Sequence, residues 1–197
     1  LAYRVFEEVG QDARVVLDDE GKNLVLRKIA GECEKDLKVF KGNLKKQGYI
    51  SEVKSVLSEF AQYGVDFERL DDFMKEVPPE SYLHYKLDDI RTIYEKFEEY
   101  LSEKYITKEE MLDVLSDAVP YSDILKGSVV AMDGFTGFTP VQNRLIGELF
   151  SVCEKVMITV TMDGRENPYV YEHPYQIFAL GKQMVTSLMK IAGEKKT

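Results

Sequence analysis

The feature of this sequence that most constrains its fold is a strand, a helix and a second strand in close succession. Residues 129–132 are a short apolar run, too brief for a helix, which predicts a strand buried on both faces. Residues 139–142, Thr-Pro-Val-Gln, predict the start of a helix over 140–152, because the threonine caps it and the glutamine returns a capping hydrogen bond. β-Branched residues at 156–161 predict the second strand. Since strands joined by one helix run parallel, the unit predicts a right-handed βαβ crossover.

Most of the remaining chain has helical patterning, with apolar residues recurring at spacings of three to four. Between residues 20 and 120 we find no strand signal. The predicted helices cover residues 1–9, 22–40, 50–63, 67–74, 82–105, a stretch from the capping box at Thr107 to near Pro120, and 175–192. The predicted fold class is therefore α/β and predominantly helical. Two strands alone make a poor sheet, so we expect the βαβ unit to belong to a larger sheet with strands outside this sequence.

Composition narrows the class of protein. The 197 residues are 44% hydrophobic and 31% charged, which predicts a soluble, globular chain without a membrane span or a signal peptide. The two cysteines are far apart and predict free thiols in a reducing cytoplasm. The net charge of -9 argues against a general electrostatic grip on nucleic acid but leaves a local basic groove open. Because Leu1 already falls in a helical pattern, we expect an internal piece of a longer protein.

The loop after the first strand of the βαβ unit is the candidate site for chemistry. Ligands in open α/β sheets bind beyond the carboxyl ends of the strands, and an aspartate there holds Mg²⁺ in P-loop ATPases. Asp133 occupies this place, although an aspartate can equally just begin a turn. A triphosphate site also needs a glycine-rich loop ending in Gly-Lys-Ser/Thr. The sequence contains no such loop, because Gly21-Lys22-Asn23 and Gly181-Lys182-Gln183 lack the hydroxyl residue.

The segment VVAMDGFTGFTPVQNRLIGELF resembles the Walker B strand, loop and helix of superfamily-one DNA helicases. In this resemblance Asp133 falls on the metal-binding aspartate and Gln142 on the glutamine of the helix. Gly134 stands where the catalytic glutamate would be, and Thr136 and Gly137 replace the following glutamine and aspartate. Glycine supplies no base, so the site is predicted to be vestigial.

The departures themselves match one family. DGFTGFTP, the opening LAYRVFEEVG and the helix at 177–192 are similar to the B subunit of the AddAB (RexAB) helicase–nuclease, and the similarity runs from end to end. The resemblance implies an internal part of that subunit's N-terminal helicase-like region. Residues 1–20 would be a helical fragment of the helicase-like domain, 21–125 an inserted helical subdomain, and 126–197 the βαβ–helix part of a RecA-like domain.

The resemblance also implies a function. The AddAB family is an ATP-dependent enzyme that resects double-strand DNA breaks for recombinational repair, and this region would track single-stranded DNA, recognise hotspot sequences and dock on the A subunit. ATP, Mg²⁺ and an iron–sulfur cluster would lie elsewhere in the parent protein, and no cofactor, catalytic residue or metal ligand is expected in this part. A helical scaffold that binds only protein remains an alternative, and an ATPase whose glycine-rich loop lies upstream is a weaker one.

Basic residues and tyrosines are the other candidates for DNA contact. Seven lysines and arginines recur on the predicted helix 22–40 and its exit, and Lys38, Lys41 and Lys45 are the candidate phosphate contacts. A solvated helix face, partly neutralised by neighbouring acids, explains the same pattern. The 12 tyrosines can stack on bases, but residues such as Tyr94 and Tyr100 fall on apolar helix faces, which favours packing in the core or at its rim.

Overall fold

The computed structural model describes residues 1–10, 14–43, 46–102 and 104–195. The chain divides into two compact units, one formed by Leu1–Asp12 with Leu112–Thr197 and the other by Ala13–Met111. The described residues contain eight α-helices and two two-stranded parallel sheets, which confirms the predicted α/β, predominantly helical class. The assignment of residues 21–125 to an inserted subdomain stays a prediction.

The elements are short and mostly helical. The α-helices are α1 (Ala2–Val9), α2 (Asp19–Cys33), α3 (Gln47–Tyr63), α4 (Phe67–Lys75), α5 (Tyr82–Leu101), α6 (Glu110–Ala118), α7 (Pro140–Val152) and α8 (Ala179–Lys195). A 3-10 turn at Val119–Tyr121 follows α6. The strands are β1 (Val15–Leu17), β2 (Tyr105–Thr107), β3 (Val129–Met132) and β4 (Lys155–Ile158). Among the described residues, no helix combines the length and apolar character needed to cross a membrane.

The helical unit is built around α2 and α5, which pack against each other, with α3 and α4 alongside. Its core holds nearly inaccessible side chains from all four helices: Leu26, Ile29, Ile50, Leu70, Ile93 and Leu101. Burying each such aliphatic side chain stabilises the fold by about 1.5–3 kcal/mol. Asp18 starts α2 by accepting a hydrogen bond from the Gly21 N–H at 2.7 Å, which is the usual role of an aspartate at the N-cap.

The helix predicted over 22–40 is wrong at its end, because α2 ends at Cys33. Leu37 and Phe40 are still buried in the same core, so their apolar spacing predicted burial correctly. The chain leaves the helix because the buried carboxylate of Asp89 on α5 offers its backbone another partner. That carboxylate accepts the N–H groups of residues 38, 39 and 40 at 2.8, 2.7 and 2.8 Å.

The prediction of no strand between residues 20 and 120 is also wrong. β1 and β2 pair in parallel, with Val15 opposite Tyr105 and Leu17 opposite Thr107. The predicted helix 82–105 accordingly ends at Leu101. Each strand is three residues long, too short for an alternating pattern to be recognised. The capping box at Thr107 is confirmed. This residue is therefore both the last residue of β2 and the residue that caps the start of α6.

The other unit contains the predicted βαβ crossover. β3 and β4 pair in parallel, with Val129 opposite Lys155 and Met132 opposite Ile158, and α7 connects them. The capping box is confirmed: the Thr139 N–H donates to the Gln142 side chain at 2.9 Å, and the Gln142 N–H donates to the Thr139 hydroxyl at 3.4 Å. α8 packs on α7, and their buried side chains form the core of this unit on one face of the strands.

Three expectations for this unit are corrected. β3 is not buried on both faces, because its residues alternate between exposed and half-buried, and Val129 is 55% exposed. β4 ends at Ile158 instead of residue 161. The last helix begins at Ala179 instead of 175, because the preceding residues form irregular turns that contain Pro174. Only one face of this sheet therefore packs against its own helices.

Candidate functional site

The site is built where the two parallel strands end. Asp133 follows β3 directly and Thr159 follows β4, so the parallel pairing brings these residues to one edge of the sheet. The Thr159 N–H donates to the Met132 carbonyl at 3.0 Å, and the Thr159 hydroxyl donates to the Asp133 carboxylate. Both residues are exposed. Asp133 is therefore a solvent-facing carboxylate with a neutral hydroxyl partner at the place where the sequence predicted it.

Gly134 turns the chain sharply away from the strand. Its φ of +82° lies in the left-handed region, which glycine adopts without steric cost. No heavy atom lies within 4 Å of the position that a Cβ would occupy, so the backbone conformation and not crowding makes glycine suitable here. The position that the helicase resemblance aligns with a catalytic glutamate thus has neither a carboxylate nor a backbone that favours one.

The loop carries two phenylalanines, one packed against the core and one exposed at the surface. Phe138 is half-buried and packs against the core cluster that contains Ile146 and Met184. Phe135 is 40% exposed, and its ring centroid lies 5.0 Å from that of Phe138 in a tilted arrangement. The loop therefore holds an aromatic ring at the surface, beside Asp133, without burying it.

An open groove of about 400 Å³ runs beside this ring. Its walls come from the loop, from the chain after β4, and from the irregular segment that leads into α8; the side chains that shape it are Phe135, Thr136, Val160, Pro174, Phe178 and Leu180. All the lining residues are uncharged. A groove of this composition suits a flat or apolar ligand group and offers a phosphate no cation.

The start of α8 forms the floor of the groove and lies unusually close to the end of β4. A Cβ at Gly181 would lie 2.9 Å from the carbonyl oxygen of Thr161, closer than real Cβ atoms approach backbone. Next to it, Lys182 is 5% exposed and its Nζ lies 2.5 Å from the Glu166 carboxylate. The glycine permits the close approach, and the ion pair ties the segment after β4 to α8.

Neither Gly-Lys pair of the sequence provides a phosphate-binding lysine. Both pairs lie inside helices, α2 and α8, instead of in a loop that precedes a helix. The Lys22 ammonium is 2.6 Å from the Glu109 carboxylate, and Lys182 is held by Glu166 in the same way. Their side chains are 3% and 6% exposed. Within the described ranges, no group of three His, Cys, Asp or Glu side chains is placed to hold a metal ion. These residues do not fit a hydrolytic ATP–Mg²⁺ site.

The basic residues proposed for DNA contact are arranged differently from the prediction. Lys38 and Lys41 lie beyond the end of α2, so they do not share a helix face with the lysines before them. The Lys38 ammonium is 2.9 Å from the Asp88 carboxylate, which raises the pKa of Lys38, and it lies 4.9 Å from the centroid of the Tyr85 ring. Lys41 is exposed. Lys45 lies outside the described residues.

Sequence reasoning missed the aromatic groove. Several of its lining residues lie at 174–181, and among them Phe178 is 37% exposed. The apolar pattern predicted a helix from residue 175, so it did not indicate that this stretch lines a groove. The sequence carries no local signal for the groove, because its lining side chains are neutral and come from separate segments of the chain. Of the two tyrosines expected to pack, Tyr94 is 9% exposed and buried, whereas Tyr100 is 39% exposed and its ring stacks on that of Tyr105.

A family model described as "ADDB, N-terminal" matches residues 1–197, the whole of the chain. The chain belongs to the AddB N-terminal family. Among its relatives are proteins whose names describe the B subunit of an ATP-dependent helicase/deoxyribonuclease. The one from Lachnoclostridium phytofermentans is 41% identical over 197 residues, which are 100% of this chain and 17% of that protein. The one from Thermoanaerobacter sp. (strain X514) is 37% identical over 194 residues, which are 98% of this chain and 16% of that protein.

A third relative of the same name, from Clostridium acetobutylicum, is 34% identical over 163 residues, covering 83% of this chain and 14% of that protein. This AddB-family chain thus spans less than a fifth of the length of these relatives. The resemblance carried by DGFTGFTP is confirmed by the family match. The names of the relatives describe a helicase and deoxyribonuclease that contains more than one subunit.

Proposed function

We propose that this chain is a non-catalytic, helicase-like region of the B subunit of an ATP-dependent helicase–nuclease that resects double-strand breaks in the cytoplasm. In this role it contacts single-stranded DNA as the strand is tracked and scanned for hotspot sequences, and it contributes to assembly with the A subunit. The names of its relatives support the parent activity. The groove at the strand ends supports the DNA contact.

The observation that carries the proposal is the exposed ring of Phe135 beside an uncharged groove at the carboxyl edge of the βαβ unit. Single-stranded DNA presents the faces of its bases, and stacking one base on an aromatic side chain is worth about 1–3 kcal/mol. Duplex DNA hides those faces inside the helix. An aromatic groove without a cation therefore favours single strands, and it favours base contact over phosphate contact.

The same edge supports a non-catalytic role. Gly134 provides no base to activate water, and the single carboxylate of Asp133 is engaged by the Thr159 hydroxyl. A nucleotide-hydrolysing site needs phosphate-binding groups that the two buried lysines do not supply. In this proposal Asp133 is a vestige of a Walker B aspartate, and the activity of the parent enzyme lies elsewhere in the protein.

Phosphate contacts are proposed for Lys38, Lys41 and Lys45, on the segment that follows α2. Lys38 is about half exposed and its partner Asp88 is comparably exposed, so solvent screens this pair and a phosphate can replace the carboxylate at little cost. With a net charge of -9 the chain has no general affinity for DNA, so such local cations carry the salt-dependent part of binding.

The second candidate function is a scaffold that binds only protein, for example the A subunit. The acidic net charge favours it, and an apolar groove accepts a side chain from a protein as readily as a base. The two candidates differ in one respect that can be measured. Only the DNA-binding module binds an oligonucleotide in a way that depends on Phe135.

The test is fluorescence anisotropy with a labelled oligo-dT strand and the 197-residue chain across a salt series. Phe135→Ala is expected to weaken binding by about 5- to 150-fold, the equivalent of one lost stacking contact. Phe73→Ala is the matched control, because that ring is 55% exposed on α4 and is not among the residues that line this groove. Lys41→Ala should lower the salt slope by about one. Absence of binding at low salt would favour the scaffold, and equal effects of the two phenylalanine variants would exclude the groove as the DNA site.

A further inference from the structure

Two glutamate side chains from different helices line one cavity of the helical unit. Glu98 on α5 and Glu110, the first residue of α6, are both half-buried and line a small, partly open cavity of about 10 Å³, which has room for about one water molecule. Glu98 is half-buried and lies next to the buried ring of Tyr94. Two carboxylates that line one small cavity repel each other when both are charged, which favours a proton on one of them.

The Glu110 carboxylate accepts hydrogen bonds from Thr107. One of its oxygens, Oε2, accepts the Thr107 N–H at 2.7 Å and the Thr107 hydroxyl at 2.9 Å. The Glu110 N–H donates back to the Thr107 hydroxyl at 3.2 Å, which completes the capping box that begins α6. Because Oε2 of Glu110 already accepts two hydrogen bonds, Glu98 is assigned as the donor of the pair.

Glu98 receives no compensating cation in the part of the chain that the structure describes. The buried ammonium of Lys22 is 2.6 Å from Glu109, and no ion pair there includes Glu98. The groups that face the cavity from each surrounding element are Lys22 on α2, Lys54 and Ser58 on α3, Tyr94 on α5, Thr107 on β2, and Glu109 on the turn just before α6. Burial also raises the pKa of Tyr94, which keeps its phenol neutral.

We propose that Glu98 and Glu110 share one proton and act as a pH-sensitive latch that holds the start of α6 against α5. The latch is closed when Glu98 is protonated and donates to Glu110. It opens when the proton leaves, because the two charges then repel across the cavity and strain the capping box. This device goes beyond the proposed DNA contact and does not depend on it.

The direction of the pH effect follows from the pKa of Glu98. Burial, and secondly the neighbouring Glu110 carboxyl, raise the pKa of Glu98 from 4.5 to about 7. The folded state thus holds a proton that the unfolded state has already lost above pH 4.5. Stability from this pair is fully present below that value and is lost as the pH rises toward about 7. The latch therefore changes state close to neutral pH.

The first experiment is a ¹³C NMR titration of glutamate-labelled protein, using the full 197-residue chain. The Glu98 carboxyl is expected to titrate near pH 7, and Glu110→Gln should shift that midpoint toward the ordinary range of a glutamate. A Glu98 midpoint near 4.5 in the wild-type chain would overturn the proposal. The midpoint of the wild-type chain alone decides this test, so its outcome does not depend on the folding of a variant.

The second experiment measures urea unfolding between pH 5 and pH 8. The folded-to-unfolded ratio of the wild-type chain should fall with rising pH by about tenfold to a hundredfold through this pair, a range lowered for partial solvent exposure. Glu98→Gln should remove that part of the slope, whereas Glu99→Gln, an exposed neighbour on the same helix, should keep it. Both variants retain His84 and His173, so the histidine contribution cancels. An unchanged slope in Glu98→Gln would contradict the latch.

Discussion

The buried carboxylate of Asp89 predicts a large effect of a single substitution in the helical unit. Asp89 is 1% exposed and accepts three backbone N–H groups, from Lys38 at 2.8 Å, Val39 at 2.7 Å and Phe40 at 2.8 Å. These bonds hold the turn that follows α2 and buries Phe40 in the core. Each hydrogen bond to a charged acceptor contributes about 1.5–3 kcal/mol, and a buried donor left without a partner costs about 1–3 kcal/mol.

Asp89→Ala removes all three acceptors at once. Since the bonds share one carboxylate and are not additive, we expect a loss of about 3–5 kcal/mol in the free energy of unfolding. That is a large part of the roughly 5–15 kcal/mol typical of a folded domain. Asp89→Asn keeps one accepting oxygen. Since Oδ2 serves two of the N–H groups and Oδ1 serves the third, we expect a loss of about 1.5–3 kcal/mol.

The assay is urea unfolding followed by circular dichroism at a fixed pH. Asp88→Ala is the matched control, because this neighbouring carboxylate is 40% exposed and pairs with the exposed Lys38 ammonium. We expect the control to leave the unfolding midpoint nearly unchanged. Equal midpoints for the two alanine variants would refute the reasoning that three buried N–H groups depend on Asp89.

Two further substitutions, each with a control, test contacts inside one unit and inside the other. Gly181→Ala places a Cβ 2.9 Å from a backbone oxygen, so thermal unfolding should show a loss of about 1–3 kcal/mol, whereas Gly193→Ala in the same helix meets no atom within 4 Å and should stabilise by about 0.5–1 kcal/mol. Lys22→Ala leaves the Glu109 carboxylate without its cation, so urea unfolding should show a loss of about 3–5 kcal/mol. Lys75→Ala breaks an exposed pair and should leave the midpoint nearly unchanged; similar losses in the two lysine variants would contradict this account.

The parts of the fold that were predictable from sequence are those that local chemistry decides. The Thr-Pro-Val-Gln start of α7 and the β-branched run of β4 predicted the βαβ crossover, and the structure confirms both. The end of α2 was not predictable, because Asp89, a distant residue in the sequence, draws the backbone out of the helix. The three-residue strands β1 and β2 exist only because each pairs with the other.

The candidate site also has a part that the sequence predicts and a part that it does not. The position of Asp133 after a strand and the glycine beside it were predictable, because strand ends and turn residues leave local marks. The groove was not, since its walls come from separate segments whose side chains are neutral and have no helical period. Phe138 packs against the core while the neighbouring ring of Phe135 lies at the surface, and the sequence alone does not tell which of the two is buried.

The measurement that tests the central claim most directly is photo-crosslinking of the chain to single-stranded DNA that contains 5-iodouracil, with the linked peptides identified by mass spectrometry. The account predicts crosslinks at Phe135 and Phe178, the two exposed rings of the groove, and their loss in Phe135→Ala. Crosslinks confined to other surfaces, or none under conditions where the DNA is bound, would contradict the assignment of the groove as the DNA contact.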